Sequence, residues 1–314
     1  MSKEKIAGNI WSVMFEGVKI YFSNIDKFIL FMLFPVFGQL IGLALTFGLT
    51  IGLAPKIAEK TDSLSGAMVM IILLAIPGLL IFLKAFWDYM VCYVALNSMT
   101  EGAIMTGKVY DFQSHREVAT RRAFKYIGFL LAVGILSFVA ITCMIIPVLG
   151  LIPPLIIWIF FILVFQVFTF EQELGIKECF KRSYELVSGY WFKTFILMFI
   201  LAFFSIFIIT EGMSVIFDCL HLTDPVTSLF DFAGKALPLE YFNKALRYLK
   251  QPEITVNMIS KCIYMSILGT IVAQLSLPIR SICFTLWYKA LADKQEKTTA
   301  QKPKKKAKKE KDSE

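Results

Sequence analysis

Six long apolar stretches between Phe28 and Tyr288 constrain the fold of this chain more than any other feature. The hydrocarbon layer of a bilayer is about 30 Å thick, and a helix of about 20 apolar residues crosses it. Backbone groups in hydrocarbon must be satisfied within their own segment, so single stretches this long predict helices rather than barrel strands. Apolar residues make up 57% of the chain and charged residues only 18%. We therefore predict an all-α integral membrane protein.

The stretches predict six transmembrane helices paired as three hairpins. Their expected bounds are about 28–53, 67–88, 126–146, 151–170, 194–212 and 260–288. Together they form a membrane domain over residues 28–292, whose largest connection is an outer loop over residues 211–253. Apolar residues between 237 and 249 recur near helical spacing opposite basic ones, which predicts an interfacial helix in this loop.

Lysine and arginine residues fall mainly on alternate connections and so predict an orientation. The segments expected on one side of the membrane hold 24 of them, whereas those on the other side hold six. Positive residues are retained on the cytoplasmic side. We therefore expect a multi-pass protein of the bacterial cytoplasmic membrane with both termini inside.

Amphipathic segments precede the spans on the expected inner face. In the N-terminal segment, residues 1–27, apolar side chains recur every three to four positions at Ile10, Met14, Val18 and Tyr21. This spacing predicts a helix lying on the inner membrane surface. Two inner connections carry similar apolar stripes beside basic residues. The lipid bilayer is thus the first expected partner, and a membrane-protein partner is a further expectation for these surfaces.

The lysine-rich tail, residues 293–314, has nothing to bury and predicts disorder. A basic cluster beside a span gains about 1 kcal/mol per lysine from anionic lipid. We expect contacts with anionic lipids at the cytoplasmic face from Lys304, Lys305, Lys306, Lys308 and Lys309. The tail lacks the interleaved aromatic residues that stack on bases, so nucleic acid is not expected as a partner.

Two segments resemble a known family. The linker FEQELGIKECFKRSYELVSGYWFKTF and the closing segment LPIRSICFTLWYKALADK are similar to those of bacterial polytopic membrane proteins related to the membrane domain of glycerophosphoryl diester phosphodiesterases. The resemblance covers roughly residues 5–292. It implies a stand-alone membrane relative without the phosphodiesterase barrel, in a group mostly without assigned activity. No catalytic residue carries over.

No catalytic, cofactor-binding or metal-binding motif is present in the sequence. The two histidines, His115 and His221, are expected on opposite faces of the bilayer, and no paired cysteines or histidine motifs supply zinc ligands. We therefore expect neither a cofactor nor enzymatic activity. An intramembrane enzyme is the alternative, and its only inner-face acids would be Asp88, Glu101, Glu171 and Glu173.

Ionisable side chains near the spans are candidate functional residues because burying a charge in lipid is costly. Arg280 lies seven residues before Trp287, about 10 Å deeper in the membrane. It either snorkels to the inner headgroups or pairs with Asp88, which lies one turn from Lys84.

Neutral polar and small residues in the spans suggest helix contacts. Gln39 and Gln274 fall at comparable depths, which predicts either an interhelical hydrogen bond or part of a substrate path. The first span contains two pairs of glycines spaced by four, Gly38 with Gly42 and Gly48 with Gly52. Such pairs allow close packing of helices within the chain, and dimerisation is the alternative.

Three function classes follow from these observations. The favoured one is a non-enzymatic membrane protein that supports membrane or lipid organisation, or the assembly of a membrane complex. A transporter of a small solute or lipid is the alternative, and it requires Gln39, Gln274 and Arg280 to face one polar cavity. An intramembrane enzyme is the second alternative. The oligomeric state does not follow from the sequence.

Overall fold

The chain is helical throughout its described part in a computed structural model. The structure describes residues 9–60, 63–107, 109, 112–144, 150, 152–236, 239–248 and 250–311. Helices make up 89% of the structure, and the described residues contain no strand. The predicted all-α class is therefore confirmed.

Fifteen α-helices are formed by the described residues. The first nine are α1 (Ile10–Ser23), α2 (Ile25–Lys60), α3 (Leu64–Thr106), α4 (Phe112–Thr120), α5 (Ala123–Cys143), α6 (Ile152–Phe161), α7 (Val164–Phe170), α8 (Ile176–Ser188) and α9 (Trp191–Phe203). A π-helix, Phe204–Ile209, follows. The last six are α10 (Thr210–Cys219), α11 (Thr223–Ser228), α12 (Asp231–Ala236), α13 (Leu239–Tyr248), α14 (Val256–Leu275) and α15 (Leu277–Lys311).

Five segments of the described chain are long and apolar enough to cross a membrane. They are Ile25–Thr50, Ser65–Thr106, Ala123–Cys143, Ile152–Phe170 and Val256–Lys297. The number of candidate spans rises to six only if α8 and α9, which meet at 99°, are counted as one bent span. The all-helical class with several segments long and apolar enough to span a membrane is thus confirmed, while the arrangement of six spans as three hairpins stays a prediction.

The second span is part of a much longer helix than predicted. We expected an end near residue 88, but α3 continues to Thr106 and has 43 residues. At 1.5 Å per residue it is about 65 Å long, twice the bilayer's hydrocarbon thickness. The charged and polar residues after Asp88 were interpreted as a connection. They are side chains of a continuous helix instead, because none of them breaks its backbone hydrogen bonding.

Two expected irregular segments are helical. The expected outer loop contains α11, α12 and α13, and α13 coincides with the helix predicted between residues 237 and 249. The tail, expected to be disordered from residue 293, continues α15 as far as Lys311. Lysine, alanine and glutamate favour helix once a preceding helix supplies its nucleus. The side chains of Lys304, Lys305, Lys306, Lys308 and Lys309 lie outside the described residues.

The chain divides into two compact units. Unit 1 comprises Met1–Phe31, Asp88–Ile200 and Leu277–Glu314. Unit 2 comprises Met32–Trp87 and Leu201–Ser276. Each unit is therefore assembled from segments that are distant in sequence.

Unit 1 has an aromatic core between α5, α7 and α8. The Phe129 ring lies 4.5 Å from that of Phe168 and 6.0 Å from that of Phe180, measured between centroids. Arg122 lies over the Phe168 ring and donates to the Phe168 carbonyl at 3.2 Å. This bond satisfies a carbonyl at the C-terminal end of α7, which otherwise has no partner within its helix. The core thus holds α7 in place.

In the same unit, the N-terminal helix α1 packs against α15. Its buried residues are Val13, Gly17 and Ile20, whereas Trp11 and Phe15 are exposed. A Cβ atom at Gly17 would lie 2.5 Å from Cys283 Sγ, so only glycine allows this close approach. A helix is confirmed over residues 10–23, but the buried face is shifted by one residue from the predicted stripe, and residues 1–8 lie outside the described part.

Unit 2 contains two separate sets of packed helices. In one, α2 and α3 approach closely at Gly42, where an added Cβ would lie 2.5 Å from the Phe82 backbone nitrogen. A Cβ at Gly38 would lie 2.8 Å from the Ala85 Cβ, whereas one at Gly48 would meet nothing within 4 Å. In the other, Tyr264 and Leu268 of α14 pack among apolar residues of α10 and its neighbours. The surroundings of Gly52 lie outside the described side chains.

The glycine contact between α2 and α3 predicts that substitutions at two glycines of α2 differ in their effect on stability. We expect Gly42→Leu to lower the midpoint of thermal unfolding in detergent, because the clashing neighbour is backbone and overpacking typically costs about 1–3 kcal/mol. Gly48→Leu is the matched control and should leave the midpoint unchanged. Equal losses in both variants would contradict this packing, and a loss of crosslinked dimers confined to Gly42→Leu would indicate dimerisation.

Candidate functional site

A cluster of buried polar side chains lies at the centre of unit 1. Asn97 of α3 is fully buried, and its Oδ1 atom accepts hydrogen bonds from Ser281 Oγ at 2.6 Å and Thr285 Oγ1 at 3.2 Å. The same oxygen accepts from Gln166 Nε2 at 3.2 Å, and Asn97 Nδ2 donates to Thr169 Oγ1 at 3.1 Å. One side chain thus joins α3, α7 and α15.

The local sequence explains why these groups meet. Ser281 and Thr285 are four residues apart on α15, so they project from one face of that helix. Gln166 and Thr169 are three residues apart on α7 and also share a face. Because the faces of both helices turn toward Asn97, a four-partner cluster forms around one amide.

A cavity of about 240 Å³ lies beside this cluster, within unit 1. Its apolar walls come from α5, α6, α7, α8 and α15 and from Ile162; they comprise Val133, Leu136, Trp158, Phe161, Ile162, Val164, Phe165, Phe180, Leu277 and Phe284. Its polar lining residues are Tyr93, Asn97, Ser137, Gln166, Arg280 and Ser281. The described part of the cavity lining therefore has apolar walls and a polar side that bears a guanidinium, and it contains no carboxylate.

Gln166, one of the polar lining residues, carries a buried hydrogen-bond acceptor. Its side chain is only 4% exposed, and its Nε2 atom already donates to Asn97. Its Oε1 atom is buried and has no hydrogen-bond partner among the described residues. A buried acceptor without a donor costs about 1–3 kcal/mol, so this atom marks a position where a bound molecule could supply the donor.

Arg280, predicted as an intramembrane cation, lines the cavity, and its predicted partner has another ion pair. Asp88 is 4% exposed, and its Oδ1 atom lies 2.7 Å from Arg116 Nη2. Arg116 belongs to the connection between the second and third predicted spans. The prediction considered only residues of the spans as ion-pair partners for Asp88. The pairing of Asp88 with Arg280 stays a prediction.

Three carboxylates proposed for an enzyme take part in ion pairs. Besides Asp88, Glu101 accepts from Lys289 Nζ at 2.6 Å. Glu171 accepts from Arg182 Nε at 2.9 Å and from the Tyr288 hydroxyl at 2.8 Å. Two of these contacts attach α15 to the ends of α3 and α7, so the pairs hold in place the helices that carry the polar cluster.

The other predicted polar residues belong to unit 2. Gln39 Nε2 donates to the Pro35 carbonyl of its own helix at 2.7 Å. Among the described residues no hydrogen bond joins Gln39 to Gln274, whose Oε1 atom is buried without a partner. Lys84 lines a separate apolar pocket in this unit with Leu33 and Phe37. Of the three residues that the transport hypothesis requires, only Arg280 lines the cavity of unit 1.

Sequence reasoning missed Asn97, the central residue of the cluster. The prediction ended the second span at residue 88 and so assigned Asn97 to a connection. An amide side chain in a connection can form hydrogen bonds with water, so Asn97 did not stand out. The apolar run around it, Val94 to Met99, was the available signal. The spacing of Ser281 and Thr285 beside Arg280 was a second signal, since it places two hydroxyls on one helix face.

No family model, curated protein or solved structure matches the chain. The resemblance to the phosphodiesterase-associated membrane proteins thus stays a prediction. Among the described residues, no group of three histidine, cysteine or acidic side chains is placed to hold a metal ion.

The ion pair of Asp88 predicts a specific energetic coupling. We expect Asp88→Asn and Arg116→Gln each to lower the unfolding midpoint, and the double variant to be no worse than the worse single one, because both remove the same ion pair of the buried Asp88. The matched cycle combines Asp88→Asn with Arg121→Gln, an exposed arginine paired with Glu117, and should give additive losses. Additive losses in the first cycle would contradict the Asp88–Arg116 coupling, and coupling of Asp88→Asn with Arg280→Gln would support the pairing predicted from sequence.

Proposed function

We propose that this protein is a non-enzymatic integral membrane protein that binds a lipid in the cavity of unit 1 and so supports membrane lipid organisation. The observation that carries the proposal is the division of the cavity lining into apolar walls and one polar side with Arg280. A molecule that is apolar along most of its length and polar at one end complements such a lining.

The position of the walls favours a ligand from the bilayer. Leu136 belongs to α5 and Trp158 to α6, and both helices lie in segments apolar enough to cross a membrane. Trp158 is 37% exposed, so the wall it forms reaches the protein surface. Pockets for drug-sized ligands measure about 300–1,000 Å³, which exceeds the 240 Å³ found here. The cavity thus suits a headgroup with the first carbons of its chains rather than a whole lipid.

The lining also supports a binding role over an enzymatic one. General acid–base and nucleophilic catalysis most often use histidine, carboxylate or cysteine side chains close to the reacting atoms. None of these residue types is found among the described residues that line the cavity. The acids of the enzyme hypothesis, Asp88, Glu101 and Glu171, are instead held by basic partners.

Transport of a lipid or small solute is the second candidate function. The break between α14 and α15 favours it, whereas Gln39 and Gln274, which it was expected to use, are not among the described lining residues of this cavity. Helix α14 ends at Leu275 and α15 begins at Leu277, just before Pro278 and three residues before Arg280. Discontinuous helices beside a polar residue are typical of binding sites in transporters. The same cavity would then release its ligand rather than retain it.

Lipid binding is tested by filling the cavity. We expect Leu136→Trp to reduce the lipid that copurifies with the protein, because an indole at this lining position occupies the ligand's space. Leu131→Trp is the matched control, since Leu131 lies on the same helix and is 63% exposed. Mass spectrometry of both purified variants measures retained lipid per protein. Equal retention in the two variants would contradict lipid binding at this cavity.

For the topology we propose six spans in the cytoplasmic membrane, with the fifth over about residues 194–212, as expected from the sequence, and both termini inside. The proposal rests on the uneven distribution of basic residues, since positive residues are retained on the cytoplasmic side. An even number of spans places the termini on the same side, whereas five spans would separate them.

Cysteine labelling in intact cells tests this topology. In a background without other cysteines, we expect Cys219 to react with a membrane-impermeant maleimide, because it is exposed in the proposed outer segment. The variants Ser2→Cys and Ser313→Cys should react only after permeabilisation. Labelling of just one terminus in intact cells would favour five spans.

A further inference from the structure

The polar side of the cavity can also identify the class of headgroup, an inference that rests on the proposed lipid-binding function. Arg280 and Ser281 are neighbours on α15, and Ser281 shares the Asn97 oxygen with Gln166. Arg280 and Gln166 both line the cavity, and Gln166 Oε1 is a buried acceptor without a donor among the described residues. A ligand placed there meets a cation and a hydrogen-bond acceptor together.

The charge of the lining selects for an anion. A guanidinium binds phosphate oxygens through two parallel hydrogen bonds, and such charge-assisted bonds are roughly twice as strong as neutral ones. Among the described residues of the lining none is acidic, so a cationic group would find no carboxylate to pair with there. A zwitterionic headgroup would place its positive charge close to Arg280. Like charges in a site of low dielectric repel strongly, which disfavours that class of lipid.

The Gln166 acceptor selects for a hydroxyl. The Gln166 amide nitrogen donates a hydrogen bond to Asn97, whereas the Gln166 Oε1 atom has no donor among the described residues. The Asn97 oxygen already accepts three bonds, so it offers no further acceptor to a ligand. A ligand donor at Gln166 must be neutral if it lies beside a guanidinium, and a hydroxyl meets this requirement.

We propose that the cavity binds an anionic phosphodiester lipid whose headgroup carries a hydroxyl. The phosphate lies at Arg280, and the hydroxyl donates to Gln166 Oε1. The first carbons of the chains lie along the apolar walls, including Phe161 and Trp158. Because the volume admits only the headgroup region, the rest of the chains stays in the bilayer.

Native mass spectrometry of the purified full-length protein tests this assignment with four probes. Phosphatidylglycerol is anionic and carries hydroxyls, phosphatidylmethanol is anionic without a hydroxyl, and phosphatidylcholine is zwitterionic; all three carry identical chains. Inorganic phosphate is the soluble probe. We expect phosphatidylglycerol to bind about tenfold more tightly than phosphatidylmethanol, which corresponds to about 1.4 kcal/mol for the lost hydroxyl contact. Phosphatidylcholine should bind weakest. Phosphate should not compete.

Point variants test separately the proposed phosphate contact with Arg280 and the proposed hydroxyl contact with Gln166. Arg280→Gln should abolish the preference for anionic lipids, while Arg121→Gln, an exposed arginine paired with Glu117, should keep it. Gln166→Met should equalise phosphatidylglycerol and phosphatidylmethanol, while Gln39→Met, a glutamine of unit 2, should not. Each variant is measured on its monodisperse fraction, and the selectivity of the unmutated protein tests the proposal even where a variant does not fold.

The outcomes separate this inference from the proposed function. Equal binding of all three lipids, lost in Leu136→Trp, would overturn the headgroup assignment and leave lipid binding intact. Equal binding of phosphatidylglycerol and phosphatidylmethanol would overturn the hydroxyl contact. Competition by inorganic phosphate would show that a free anion, rather than a lipid, occupies the site. Lipid binding that persists unchanged in Leu136→Trp would overturn the cavity as the site altogether.

Discussion

The burial of Asn97 is the interaction on which the organisation of unit 1 depends. An amide in an apolar interior costs several kcal/mol unless its donors and acceptors are used. Asn97 meets this requirement with partners on α7 and α15, separated from it by 69 to 188 residues. Any displacement of α7 or α15 from α3 would leave polar groups without partners. The hydrogen bonds of one side chain therefore specify the arrangement of three helices.

The cavity is a consequence of the same arrangement. Gln166 donates its amide nitrogen to Asn97, so its oxygen is left buried without a donor among the described residues. Arg280 is adjacent to Ser281 on α15 and also lines the cavity. Ion pairs of Glu101 and Glu171 with Lys289 and Arg182 hold the helix ends around it. Stability and ligand recognition thus share residues in this unit.

Unit 2 is held by a different interaction. Its α2–α3 contact uses glycines, Gly38 and Gly42, whose missing side chains allow the backbones to approach. Close packing of this kind needs no buried polar group, and it is visible in sequence because small residues repeat at a spacing of four. The same repeat at Gly48 faces open space. Spacing alone therefore indicates a face that can pack, and the neighbouring helix decides which part of it does.

The sequence by itself determined the helical class with several apolar segments long enough to span a membrane, the positions of those segments and the presence of Arg280 within the last of them. These properties follow from local composition and periodicity, which lipid imposes on every spanning helix. Only the tertiary structure decided the continuity of α3 past Asp88, the pairing of Asp88 with Arg116 and the role of Asn97. Those features depend on contacts between residues far apart in the chain. No local pattern encodes such contacts, since each polar group could have been satisfied by several partners or by water.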